Sequence, residues 1–365
     1  MGQAVALQMI DAGPLIHYQH WRPLRHPWLF ICLAAQSAAV IAGLRRRWPD
    51  IRTWLGRNFR WWQLGGVGVV LFLSGAALSR DKPAYVAEML FAGLVQAVNL
   101  GGVVLAAWAV PPKSLTSLKE KFDRWLEPSS PDRFVAIGGI WVTTLAAFLS
   151  FCIYERHPHI PDEVVYLYQA RYFAAGRLTL PAPEAPDAIN VDLMTYESDR
   201  WYCPVPPGWP AMLAVGVLLG VPWLVNPVLA GCNVVLTYFL VREIYDRRTA
   251  RLSVLLLCVS PWHIFMAMNF MTHTFTLTCA LAGALGVAWA RKTGKTFWGW
   301  LSGIATGMVI LIRPLEGAVV AGVLGLWALG AGGRRLKSRC ILAFTLGAIV
   351  VGGVVLPYNK LLTGN

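Results

Sequence analysis

Apolar residues dominate this chain in long runs, and short polar stretches divide them. About 17–25 consecutive apolar residues are needed to cross a bilayer as a helix. By that measure the pattern predicts ten spans, at about residues 27–44, 63–79, 84–110, 134–153, 224–241, 251–269, 272–290, 297–312, 314–331 and 340–356. One polar stretch is long, the loop 154–209. The stretch 207–222 is apolar but short, with prolines on both sides, and reads as a helix lying on the outer surface. The expected fold is therefore an all-α polytopic membrane protein with one large external loop bearing interfacial helices.

Composition agrees. Of 365 residues, 56% are hydrophobic and only 14% charged, against about 25% charged in an ordinary soluble domain. The start lacks the short basic head and small-residue cleavage site of a signal peptide. A net charge of +13 raises nucleic acid as a ligand, but its distribution argues against that. Residues 45–62, 111–133, 242–251, 291–296 and 332–339 hold 22 of the 32 lysines and arginines. They alternate with the predicted spans, which is the positive-inside pattern. It puts the amino terminus and the loop 154–209 outside. Exporting Arg242, Arg247, Arg248 and Arg251 would break the pattern, which is why 207–222 is read as a non-spanning helix. Of seven cysteines, five fall in apolar runs; Cys152 and Cys203 lie where a disulfide is open to them. No Cys/His metal spacing is present.

The loop 154–209 carries eight acids against four arginines, the only sizeable acidic segment outside the spans. Within it Pro161, Asp162 and Glu163 read as a helix start, since proline suits the first turn and carboxylates complement the helix dipole. Gly176 reads as the stop. Helical spacing places Asp162, Tyr166 and Gln169 on one face and turns Glu163 away. Either these acids cap an interfacial helix, or a partly desolvated carboxylate acts as a base toward a hydroxyl. Arg313 lies between two apolar runs. It either binds a phosphate or pairs with Glu316, three residues on. Arg171 offers a second phosphate contact or a solvated helix face, and His273 sits at a helix start.

Three stretches, HIPDEVVYLYQARYFAAGRLTLPAP, DRWYCPVPPGWPAMLAVG and REIYDRRTARLSVLLLCVSPWHIFMAMNFMTHTFTL, occur in order. Together they resemble the membrane C-type glycosyltransferases, closest to the bacterial family 39 relatives of the protein O-mannosyltransferases and lipid A aminoarabinose transferases. The resemblance runs over about 134–365. It implies a glycosyltransferase in the bacterial cytoplasmic membrane, with its active site facing outside. The donor it implies is a polyprenyl-phosphate-linked sugar, and the acceptor a lipid, glycan or protein. Asp162 would be the catalytic base and Glu163 its companion acid, with Tyr166, Gln169, Arg171, His273 and Arg313 binding substrate.

Pro206, Pro207, Gly208, Trp209 and Pro210 match the family's Pro-Pro-Gly-aromatic-Pro stretch. At His273 some relatives carry a second acid and this chain does not. A divalent metal serves some C-type relatives but not the nearer ones, so no cofactor is assigned. Residues 1–133 are expected as an N-terminal extension with three spans, and 134–365 as the transferase-like domain. Relatives continue beyond a Leu-Thr-Gly-Asn run like the one at 362–365, so the second domain is expected to be incomplete. The rival class is a lipid or solute transporter, which predicts paired half-chain repeats or matching broken helices; no such repeat is present.

Overall fold

The structure is a computed structural model that describes residues 10–11, 20–21, 27–73, 82–109, 116–117, 120–121, 133–185, 191–197 and 199–363. The chain divides into two compact units, Met1–Asp123 and Arg124–Asn365.

In the first unit a two-residue antiparallel ladder pairs β1 (Ile10–Asp11) with β2 (His20–Trp21). Four helices follow: α1 (Pro27–Arg46), α2 (Trp48–Asn58), α3 (Trp61–Leu73) and α4 (Lys82–Ala109). Helices α1 and α4 pack together, and a side chain at Gly101 would collide with Val40. Helix α2 has no buried residue and carries Arg52 and Arg57, as suits a connector at a membrane surface.

The second unit starts with α5 (Arg133–Cys152), then α6 (Pro161–Ala174), which opens the polar loop. Three short strands follow, β3 (Leu180–Pro181), β4 (Thr195–Glu197) and β5 (Arg200–Tyr202), forming an antiparallel sheet in the order β3-β5-β4. The chain is thus mostly helical rather than all-α. The loop's polar backbone needs partners that its own helices do not supply, and a small sheet provides them.

Next come α7 (Gly208–Leu218), α8 (Val225–Ile244), α9 (Arg247–Cys258), α10 (Pro261–Met268), α11 (His273–Thr293), α12 (Thr296–Ile312), α13 (Pro314–Leu329), α14 (Ser338–Gly352) and α15 (Val355–Thr363).

Among the described residues, five segments are long and apolar enough to span: Met89–Ala106, Arg133–Cys152, Pro222–Ile244, His273–Thr293 and Ser338–Thr363. A sixth counts if α9 and α10, bent by 58°, make one span. The bend falls at Ser260–Pro261, where proline supplies no amide and the Ser260 side chain caps the new helix. Helices α12 and α13 have 17 and 16 residues, at the short edge of what a bilayer needs. The 11 residues of α7 reach only about 16 Å, too little to cross. Described residues of the run 63–79 end at Leu73.

Two helix contacts depend on glycine. On α12, Gly299, Gly303 and Gly307 form one ridge, and side chains there would strike the backbone carbonyls of Cys340, Phe344 and Ala348 on α14. Close approach through small residues is how helices associate where water supplies no drive. Between α5 and α8, Gly139 and Gly231 meet in the same way. We expect Gly303→Val to destabilise the protein by about 1–3 kcal/mol or more through overpacking. Gly322→Val, at a position with open space around it, should leave thermal unfolding in detergent nearly unchanged.

Candidate active site

Helix α6 forms where the sequence places it. Ile160 is the extended N-cap residue, Pro161 occupies the first turn with both acids, and Gly176 ends the segment at φ +71°. The acids then part. Asp162 is half-buried, whereas Glu163 is fully buried. Tyr154 Oη donates to both Glu163 carboxylate oxygens at 3.0 Å. The backbone amide of His159 donates to Oε2 at 3.0 Å, and that of Phe270 to Oε1 at 3.3 Å. Burial, then the Glu163 charge and hydrogen bond, hold the Tyr154 hydroxyl well above its ordinary pKa, so it remains a donor. Both Glu163 carboxylate oxygens are thus engaged by donors of the protein itself.

The Phe270 amide belongs to a break in the membrane bundle. Between α10 and α11, residues 269–272 leave the helical path. Asn226 Nδ2 donates to the carbonyls of Asn269 (2.7 Å) and Met271 (2.9 Å), and Trp209 Nε1 to that of Phe270 (2.8 Å). Asn269 Oδ1 accepts from the Met271 amide at 3.0 Å. Buried non-helical backbone survives only when protein satisfies it, and here three other segments, carrying Glu163, Trp209 and Asn226, do so.

The Pro-Pro-Gly-Trp stretch clamps this break to a second one. Any side chain at Gly208 would sit 2.9 Å from the Leu311 backbone and 2.8 Å from Ile312 Cγ1. Glycine therefore lets α7 close onto the end of α12, next to Arg313. There the backbone is extended and Pro314 starts α13. Trp209 is itself buried, in a core shared with Leu167, Leu213, Leu229, Phe270, Phe275 and Ile312.

Arg313 forms the Glu316 pair that one of its two sequence readings expects. Its Nη2 lies 2.6 Å from Glu316 Oε1, and Nε donates to the same oxygen at 2.7 Å. Its Nη1 lies 3.2 Å from His273 Nε2 and 3.4 Å from Thr272 Oγ1. Accepting from a guanidinium requires a neutral His273 with its proton on Nδ1, and that nitrogen is buried without a partner. Arg313, Glu316 and His273 border a cavity of about 340 Å³ whose other walls are Thr276, Leu277 and Ala280. It is charged at one end and apolar along the helix.

The Asp162 charge is felt by two neighbouring groups. Burial, then the Asp162 carboxylate, push the Tyr166 hydroxyl up to about 12, while the Arg313 guanidinium pulls the other way. Burial also pushes the Cys203 thiol up to about 11; a Val205 backbone hydrogen bond opposes this and Asp162 adds to it. So Asp162, Tyr166, Cys203 and Arg313 share one electrostatic neighbourhood.

Two expected members lie elsewhere. Gln169 is fully buried and donates to Tyr358 Oη at 2.7 Å and to the Val205 carbonyl at 3.3 Å, which ties α6 to α15. Arg171 is nine residues after Asp162, half a helical revolution away, and faces a different cavity. Cys152 and Cys203 are free thiols, one exposed and one buried, so the disulfide left open by the sequence is not formed. Among the described residues, no group of three or more His, Cys, Asp or Glu side chains could hold a metal ion.

The family model for dolichyl-phosphate-mannose-protein mannosyltransferase matches residues 206–358. The match supports a membrane C-type glycosyltransferase. It covers the Pro-Pro-Gly-Trp clamp, the 269–272 break, His273 and Arg313, and begins after Asp162. No curated protein matches the chain. The long apolar helices, with this match, support an integral membrane protein.

Sequence reasoning missed Tyr154, Asn226 and the Glu163–Phe270 link. Asn226 was visible as a polar residue entering a span, a position that seldom lacks a purpose. We expect Glu163→Ala to cost about 3 kcal/mol or more, since it leaves a buried amide and hydroxyl unpaired. Glu163→Gln should recover part of that loss. Thermal unfolding of the purified variants reads this directly.

Proposed function

We propose that the protein transfers a sugar from a polyprenyl-phosphate donor to an acceptor hydroxyl, on the extracytoplasmic face of the cytoplasmic membrane and with inversion. The proposal keeps the ten-span topology and the external loop 154–209. It treats α12 and α13 as short spans, residues 1–133 as an N-terminal extension and residues 134–365 as the transferase domain. The protein mannosyltransferase family uses polyprenyl-phosphate-linked donors and glycan or protein acceptors. The observation that carries the reading is the shared electrostatic reach of Asp162 and Arg313 upon Tyr166. Both charges, one on a half-buried carboxylate and one on a cation that borders an apolar-walled cavity, act on the same hydroxyl.

In this mechanism the donor's phosphate meets Arg313, with His273 and Thr272 steadying the guanidinium. The prenyl chain follows Thr276, Leu277 and Ala280 along α11. Asp162 takes the acceptor's proton as its oxygen attacks the anomeric carbon from the face opposite the phosphate. The glycosidic bond forms as the carbon–phosphate-oxygen bond breaks, and the polyprenyl phosphate leaves with both bond electrons. Arg313 is the group placed to stabilise the charge that gathers on that oxygen. The Glu316 pair keeps Arg313 aimed before the donor arrives. Glu163 and Gln169 act through position, holding α6 on the breaks below it.

A transporter would use the same spans, but the family match over 206–358 favours transfer. We expect Asp162→Asn to lower transfer by about 10²- to 10⁴-fold, the usual worth of a general base. Unfolding should be unaltered, because Asp162 holds no buried partner. Arg313→Met should impair transfer as well. Membranes supplied with a radiolabelled polyprenyl-phosphate sugar measure both, and full transfer by Asp162→Asn would remove the base assignment.

A further inference from the structure

A second charged cavity lies on the other side of α6. Glu155, Arg156, Arg171, Val217, Gly220 and Trp223 line a cleft of about 470 Å³. Among the described residues neither arginine forms an ion pair, and Arg156 sets its guanidinium 4.6 Å over the Phe151 ring. Glu155 and Arg156 both take left-handed backbone, φ 49° and 62°. Residues other than glycine seldom do so, and here the turn lifts Arg156 from the end of α5 into the cleft.

The cleft stands at the ends of two spans. Phe151 lies in the last turn of α5, and Trp223 lies in the turn that begins the span Pro222–Ile244, with their rings edge-on at 6.0 Å. Paired aromatic rings at span ends mark the headgroup level of a bilayer. Beside the cleft, Leu218 and Leu219 at the end of α7 are 70% and 71% exposed, an apolar ledge suited to acyl chains. Arginines on the outer side run against the positive-inside distribution, so topology does not account for this pair. Arg171 also points away from Asp162, so a molecule held here does not reach the reacting hydroxyl.

We infer that this cleft binds the phosphodiester headgroup of a monoanionic membrane lipid, clasped by Arg156 and Arg171. The net charge of the two arginines and Glu155 is +1, which one phosphodiester neutralises. Guanidinium forks suit its oxygens. The inference does not depend on the transfer reaction. Its consequence is that a lipid of the outer leaflet would fix the far end of the helix that carries Asp162.

The test uses the full chain in phosphatidylcholine nanodiscs containing increasing phosphatidylglycerol, with bound lipid read by native mass spectrometry. Wild type should retain phosphatidylglycerol over phosphatidylcholine, and Asp162→Asn should do the same. The double variant R156A/R171A should lose at least about five-fold of that preference, and R156K/R171K should keep part of it. Removing the competing carboxylate with E155Q should raise the preference. That gain decides the matter even if the double variant fails to fold. An unchanged preference in a folded R156A/R171A, or no gain in E155Q, would overturn the site. Displacement of the lipid by millimolar inorganic phosphate would make it a free-anion site and overturn the lipid assignment.

Discussion

The membrane half of this protein is organised around four residues of backbone that are not helical. Asn269 to Thr272 join α10 to α11, and Asn269, Phe270 and Thr272 are buried, so their polar groups need partners within the protein. The Glu163 carboxylate, the Trp209 indole and the Asn226 amide supply the missing partners. These side chains come from the loop helix α6, the short helix α7 and the span α8. Satisfying the break therefore fixes the polar loop upon the bundle, and with it the position of Asp162. The break also frees the start of α11, so that His273 and Thr272 face Arg313 rather than continuing a helical ladder.

This arrangement explains why two adjacent acids do different work. On a helix, neighbouring residues diverge by about 100°, so one turns inward as the other turns toward the cavity. Glu163 is surrounded by an O–H and two amides that a neutral side chain could not pair equally well. Asp162, half-buried and without those donors, keeps its lone pairs available. Glu163 is therefore a strut, and it fixes the start of the helix on which Asp162 stands.

Much of this was legible in the sequence, for definite reasons. The start and stop of α6 are local events, governed by Pro161, the first-turn acids and Gly176, and local rules are enough to place them. The helical character of the long apolar runs follows from composition, as does the inability of 207–222 to span. What sequence could not supply was long-range pairing. Nothing near Gln169 announces Tyr358, nearly two hundred residues away, and nothing near Glu163 announces the Phe270 amide. The junction at Arg313 was legible, since Pro314 opens α13, but the close approach of Gly208 and Gly317 to the backbone there was not.

Placing Arg313 at that junction has a further physical consequence. A guanidinium inside an unbroken apolar helix would be costly to bury. At the extended link between α12 and α13 it instead reaches Glu316 on one side and His273 on the other, and remains partly solvated. It is thus paired strongly enough to stay charged and oriented, yet a third of its side chain is still open to an incoming anion. The Glu316 pairing and a phosphate-binding role are therefore not competing accounts of Arg313. A cation placed to receive an anion at the edge of a membrane needs a resident carboxylate to hold its direction until the ligand arrives, and Glu316, on the exposed first turn of α13, holds Arg313 at the wall of the cavity that both border.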